Sequence, residues 1–279
     1  MKKLLLSVLT CLAFTVQIAA RNGFAIVIDS VSYQEARPEV DAYARLKVYT
    51  VIDRWQVPDS IRATLKHLHE QKSEPIVGTV FVGDIPIVMV RDAQHLTSAF
   101  KMNQKNDRRE SSVPSDRFYD DFGLQFEFQG KDEDKPYFYY SLTPQSSQKV
   151  YPDLYSGRIR PTDTPESSRY QKLREYLIKA VREKERQRAL GQLFFFSGHG
   201  YISESKTARM DEKAAYFEHF PSLAGRTNRI SYMDHTDHNP VKEHLMNEMM
   251  RTDLDLAILH HHGYFDTEYL NGTAPIRTV

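Results

Sequence analysis

Three short apolar segments in the second half of the chain each run straight into residues able to do chemistry. Leu193-Phe194-Phe195-Phe196 leads to Ser197-Gly198-His199-Gly200, Arg229 to Tyr232 leads to Met233-Asp234-His235, and Leu254 to Leu259 leads to His260-His261-His262-Gly263. An imidazole titrates at about 6.5, so each of these histidines can accept or donate a proton near neutrality. The same rings are nitrogen donors for zinc. His199, His235, Asp237, His238 and the triple histidine would form a ligand set that leaves a position open for a hydrolytic water. No His-Glu-x-x-His pattern accompanies them, and His235 and His238 stand just before Pro240. The plainer reading takes His260, His261 and His262 as polar residues alternating about a strand end, and His199 as a loop histidine between flexible glycines.

A second group is acidic. Asp116, Asp120 and Asp121, with Asp153 further along, offer hard oxygen ligands suited to calcium as a structural ion, or simply a solvated acidic surface. Thiol chemistry has one candidate, Cys11, the single cysteine. It lies within an apolar run from Leu4 to Ala20 that follows Met1-Lys2-Lys3 and ends in small residues, which is the pattern of a cleavable secretory signal over residues 1–20. The expected mature chain is therefore exported, to the periplasm, cell surface or medium, and carries neither disulfide nor thiol.

The elements that must position these groups follow from apolar spacing. Phe24 to Ile28 is a first strand. A helix begins at Pro58-Asp59 with Ile61, Leu65 and Leu68 on one face, and Ile76 to Val82, Ile85 to Val90 and Tyr137 to Leu142 are strands. Lys101 to Ser115 reads as a polar loop. Thr164 and Pro165 start the longest helix, with Tyr170, Leu173, Leu177 and Val181 inward, and its charged end, Arg182 to Arg188, marks a boundary. Strands alternating with helices predict an α/β protein with a mainly parallel sheet flanked by helices, in two subdomains, 21–188 and 189–279. In the second, a helix after Asn239-Pro240, with Val241, Leu245, Met246 and Met249 inward, is the crossover that makes the arrangement parallel. The three polar tips then share the carboxyl edge, where open α/β sheets form binding crevices.

With 37 basic and 37 acidic residues in 279, the chain has no net charge and lacks the basic footprint of a nucleic-acid binder. After residue 20 no segment is long and apolar enough to span a membrane.

Three segments, taken in order, resemble the gingipain-type cysteine peptidases from about residue 76 onward: Val82-Gly83-Asp84-Ile85-Pro86, then Pro114-Ser115-Asp116-Arg117-Phe118-Tyr119-Asp120-Asp121, then Pro152 to Ile159 with the long helix behind it. The resemblance implies a caspase-like fold and an endopeptidase acting on proteins or peptides with no required cofactor. Its catalytic histidine would be His262, in the His262-Gly263 pair, and the Gly263 N–H would be an oxyanion donor. Here His261 replaces the glycine that usually precedes the histidine. His199, Asp234 and His261 would line the site, His199 standing where the family has an orienting acid, with Glu204 further along. Asp211 lies near the position of the carboxylate that receives a cationic side chain in arginine-specific members, although an acid in the first turn of a helix is its ordinary reading. The family's nucleophilic cysteine follows the His-Gly pair by a few tens of residues, beyond Val279, so the chain as given is expected to lack peptidase activity, its second subdomain being short of an element. A zinc hydrolase, or a secreted binding protein on a peptidase-like scaffold, are the rival functions.

Overall fold

A computed structural model describes residues 23–46, 48–93, 103–186, 192–197, 214, 218, 230–234, 241–264, 267–270 and 276–277. The chain divides into two compact units, Met1–Glu185 and Arg186–Val279.

The first unit is built on a parallel sheet of β1 (Gly23–Asp29), β2 (Val48–Asp53), β3 (Ile76–Val82) and β8 (Tyr155–Ile159), in the order β2-β1-β3-β8. Near-continuous apolar runs such as Phe24 to Ile28 suit strands covered on both faces. One face, carrying Ile26, Ile28 and Val82, packs on α1 (Ser30–Glu35), α2 (Arg37–Ala44) and α6 (Arg169–Arg186) through Ala36, Val40, Leu173 and Leu177. The other, carrying Ala25, Val27 and Phe81, meets α3 (Pro58–His69) through Ile61 and Leu65, and α5 (Arg117–Asp120) through Phe118 and Tyr119. Beyond these lies a mixed sheet, β5-β4-β7-β6, of β4 (Ile87–Arg91), β5 (Val113–Pro114), β6 (Phe126–Lys131) and β7 (Tyr137–Leu142), which adds Val88, Val90, Phe138 and Tyr140 to the same core. Each fully buried side chain of this size contributes about 1.5–3 kcal/mol, which explains why these faces decide the layering.

Backbone chemistry closes the carboxyl edge of the parallel sheet. Asp29 ends β1 and caps α1, its Oδ1 accepting from Val31 and Ser32 N–H at 3.0 and 2.9 Å, while Oδ2 accepts from Asp84 N–H at 2.8 Å. Gly83 makes that turn at φ 78°, and an added Cβ would collide with Asp29 and Ser32, so only glycine fits. Asp53 likewise accepts from Trp55 and Gln56 N–H.

Several expectations are corrected here. Helix α6 starts at Arg169, not at Thr164. Thr164 and Ser167 bond each other in a turn, as the extended preference of a residue before proline favours, and Ser168 and Asp163 accept the first free N–H groups of α6. The charged end expected to mark a boundary is helical through Arg186, the two units divide between Glu185 and Arg186, and the Lys184 ammonium lies over the rings of Phe24 and Tyr43. The stretch read as a loop holds α4 (Arg108–Ser111) and β5.

In the second unit, β9 (Leu193–Ser197), β10 (Ile230–Asp234) and β11 (Leu256–His260) form a parallel sheet, as expected, and its order is β10-β9-β11. Helix α7 (Val241–Met249) crosses between β10 and β11 and packs Val241 and Leu245 on Phe194 and Phe196. Met246 and Met249 do not point inward; they are exposed, because the one sheet face covers only the stripe through Val241 and Leu245. After β11 the chain forms an antiparallel meander that periodicity did not reveal: β12 (His262–Tyr264), β13 (Thr267–Tyr269) and β14 (Ile276–Arg277). Leu270, just past β13, is buried with Phe194 and Phe196. Among the described residues no helix is long and apolar enough to cross a membrane.

Candidate functional site

The carboxyl edge of the sheet β10-β9-β11 collects the chemistry-bearing segments. Ser197 pairs with Asp234 on one side and His260 on the other, so the three strands end in one register. With strands about 4.8 Å apart, the Asp234 and His260 backbones stand about 10 Å apart across Ser197. The opposite edge is tied by Gln192, whose carbonyl accepts from Asp255 and Leu256 N–H and whose own N–H reaches the Asp255 carboxylate at 2.9 Å. His261 follows the edge at once, partly buried, its ring 6.3 Å from that of Phe196.

The meander then decides how Gly263 is presented. Tyr264 pairs with Thr267, Gly263 with Glu268 and His262 with Tyr269. Antiparallel pairs alternate between hydrogen-bonded and non-hydrogen-bonded, and with two residues between Tyr264 and Thr267 that closing pair is a hydrogen-bonded one. His262–Tyr269 is therefore hydrogen-bonded as well and Gly263–Glu268 is not. The N–H and C=O of Gly263 point away from β13, on the outer side of the edge strand β12. This orientation was not readable from the sequence, because it depends on a register set by residues 267–269.

His199, Glu204, Asp211, His235, Asp237 and His238 lie outside the described residues, as does Cys11 with the expected signal. Among the described residues no group of three or more His, Cys, Asp and Glu side chains is placed to hold a metal ion.

The acids of the first unit are engaged by side chains and backbone N–H groups of the unit itself. Asp116 receives Arg158 in a bidentate pair, with Nε and Nη2 each 2.8 Å from a carboxylate oxygen. The same guanidinium donates to the Ile85 and Pro86 carbonyls at 3.0 Å and covers the Phe81 ring. Tyr119 donates to Pro86 O from the other side at 2.9 Å. Asp121 accepts from the Gly123 and Tyr151 N–H groups, and Asp153 from Phe122 N–H. Asp84 is partly buried, which opposes its charge, but hydrogen bonds from Arg169 and Arg160 outweigh this and hold its carboxyl below the ordinary range. The segments 82–86, 114–121 and 152–159 thus converge on one node that ties the parallel sheet to α5 and β4.

Asp120 is the buried acid of this node. Its Oδ2 accepts from Ser156 and, at 2.6 Å, from Arg117, while Oδ1 has no partner among the described residues. Burial raises its carboxyl from 3.8 to about 6, against the lowering by Ser156 and Arg117, with Asp116 and Asp121 pushing further upward. The folded state therefore holds a proton that the unfolded chain releases, and the stability this brings is present at acid pH and lost as pH rises through about 6. Unfolding measured from about pH 7.5 to about pH 4 should show wild type gaining about 2 kcal/mol over Asp120→Asn. A difference that stays flat across this range would refute the assignment.

Comparison of the chain with protein-family models, curated proteins and solved structures gave no match.

Proposed function

We propose that the second unit carries the histidine side of a cysteine endopeptidase site of the gingipain type, on a caspase-like fold, in an exported protein that acts on proteins or peptides. The observation that carries this reading is the orientation of Gly263: a His-Gly pair follows the carboxyl edge of a parallel sheet, and its glycine N–H is turned away from its own ladder. A donor so placed can hold the oxyanion of a tetrahedral intermediate. This reading requires a thiolate, and the described residues contain no cysteine. The thiolate attacks the peptide carbonyl, and His262, as imidazolium, gives its proton to the departing amine. His262 then takes a proton from the water that hydrolyses the thioester, which regenerates thiolate and imidazolium. Asp234 and His261 stand at the same sheet edge as candidate lining residues.

The test uses the native gene product and the 279-residue chain side by side. Peptide hydrolysis by the gene product that is abolished by thiol alkylation, survives zinc chelation and is absent from the 279-residue chain supports the proposal. Hydrolysis abolished by chelation but not by alkylation would replace it with the zinc reading. Thiol-dependent proteolysis by the 279-residue chain would overturn it.

A further inference from the structure

The first unit contains a cavity of about 310 Å³ between the edge strand β8 and helix α6, and none of the groups considered above uses it. Its walls include Phe24, Tyr43, Tyr155, Gly157, Tyr176 and Ala180. Two glycines make the space. At Gly78 an added Cβ would collide with the Tyr155 ring, so the glycine lets that ring lie flat on β3. Above Gly157 an added Cβ would meet nothing within 4 Å, so the floor of the cavity is bare backbone.

The aromatic lining has a polar rim of one kind. Tyr155 and Phe24 stack with centroids 5.7 Å apart, and the Lys184 ammonium stands 5.6 Å from the Phe24 ring and 5.1 Å from that of Tyr43. Burial raises the Tyr43 phenol, and the nearby phenols of Tyr176 and Tyr155 raise it further. Among the described residues none of these three hydroxyls donates to a partner and Lys184 forms no ion pair. Among the described residues no acid lines the cavity, and Arg158, which touches it, is committed to Asp116. Tyr155 is 62 % exposed and Tyr176 49 % exposed, a large apolar area to leave in water. Pockets of this size with aromatic walls and a few convergent donors are the ordinary form of small-molecule sites.

We propose that this cavity binds a small amphiphilic carboxylate, with its aromatic or short hydrocarbon body between the rings over Gly157 and its anionic end accepting hydrogen bonds from Lys184 and the tyrosine hydroxyls. A cation is disfavoured by the ammonium already on the rings, and a neutral ligand forgoes the charge-assisted bonds. The site lies in the first unit and is independent of any role of His262.

The experiment titrates the full chain with 4-phenylbutyrate and, separately, with 4-phenyl-1-butanol, by calorimetry and saturation-transfer NMR. Saturable binding of the acid, about tenfold tighter than the alcohol, is expected. Lys184→Met should erase that preference, and Gly157→Leu, which fills the open floor, should abolish binding of both. Ala180→Phe fills the same space from α6, so the prediction can still be read if the strand variant fails to fold. No saturable binding to wild type, equal affinity for acid and alcohol, or undiminished binding by a folded filled variant would overturn the proposal.

Discussion

Arg158→Met is expected to destabilise the first unit by about 3 kcal/mol, measured by urea unfolding. Arg158 makes the bidentate pair with Asp116, donates to two carbonyls of the turn before β4 and covers Phe81. Methionine keeps the packing on Phe81 but leaves the Asp116 carboxylate and the Ile85 carbonyl without their Arg158 donors, while Pro86 O keeps only the Tyr119 hydroxyl. The side chains of Arg158 and Asp116 are 22 % and 25 % exposed, so solvent screens part of the loss and the expected value lies toward the lower end of the range for buried pairs. Arg158→Lys should recover less than half, since an ammonium cannot serve the carboxylate fork and both carbonyls together. Asp116→Asn should cost less than Arg158→Met, and the double variant less than the sum of the two. A loss below about 1 kcal/mol for Arg158→Met would show that the node is not what joins the two sheets of the unit.

His262→Ala, made in a form of the protein that shows thiol-dependent peptide hydrolysis, is expected to lower kcat/KM by about a thousandfold, the usual size of a lost acid–base group. The fall should lie in kcat, since the proton is delivered in the transition state and not in the ground state. Gly263→Pro separates the second role. Proline removes the N–H but suits an edge strand whose N–H faces outward, so the ladder with β13 can persist while the oxyanion loses its donor, at a cost of about a hundredfold or more. Gly263→Ala keeps the N–H and serves as the control. Full activity in His262→Ala, with His261 or His199 variants inactive instead, would move the catalytic role to another of these histidines. Equal activity of the Gly263→Pro and Gly263→Ala variants would remove the oxyanion role.

The segments that prompted the family resemblance show how a motif can be legible while its work is not. Val82 to Pro86, Pro114 to Asp121 and Pro152 to Ile159 carry the resemblance by residue types and order alone. Their acids were open to a calcium reading because spacing along the chain says nothing of which cation faces a carboxylate. In the fold Asp116 pairs with Arg158, 42 residues away. Nothing in the local pattern could distinguish a metal ligand from half of an ion pair.

What the sequence by itself determined is local. The apolar runs of β1, β3 and β9, the Pro58 start of α3, and the strand-helix-strand order behind the parallel register of Ser197, Asp234 and His260 depend on periodicity, helix-start chemistry and the handedness of crossovers, all of which act over a few tens of residues. The later start of α6, the exposure of Met246, the outward N–H of Gly263 and the cavity over Gly157 were decided by tertiary structure alone. Each depends on the shape or hydrogen-bonding partner supplied by another element, and periodicity records which residues seek burial without recording what they will be buried against.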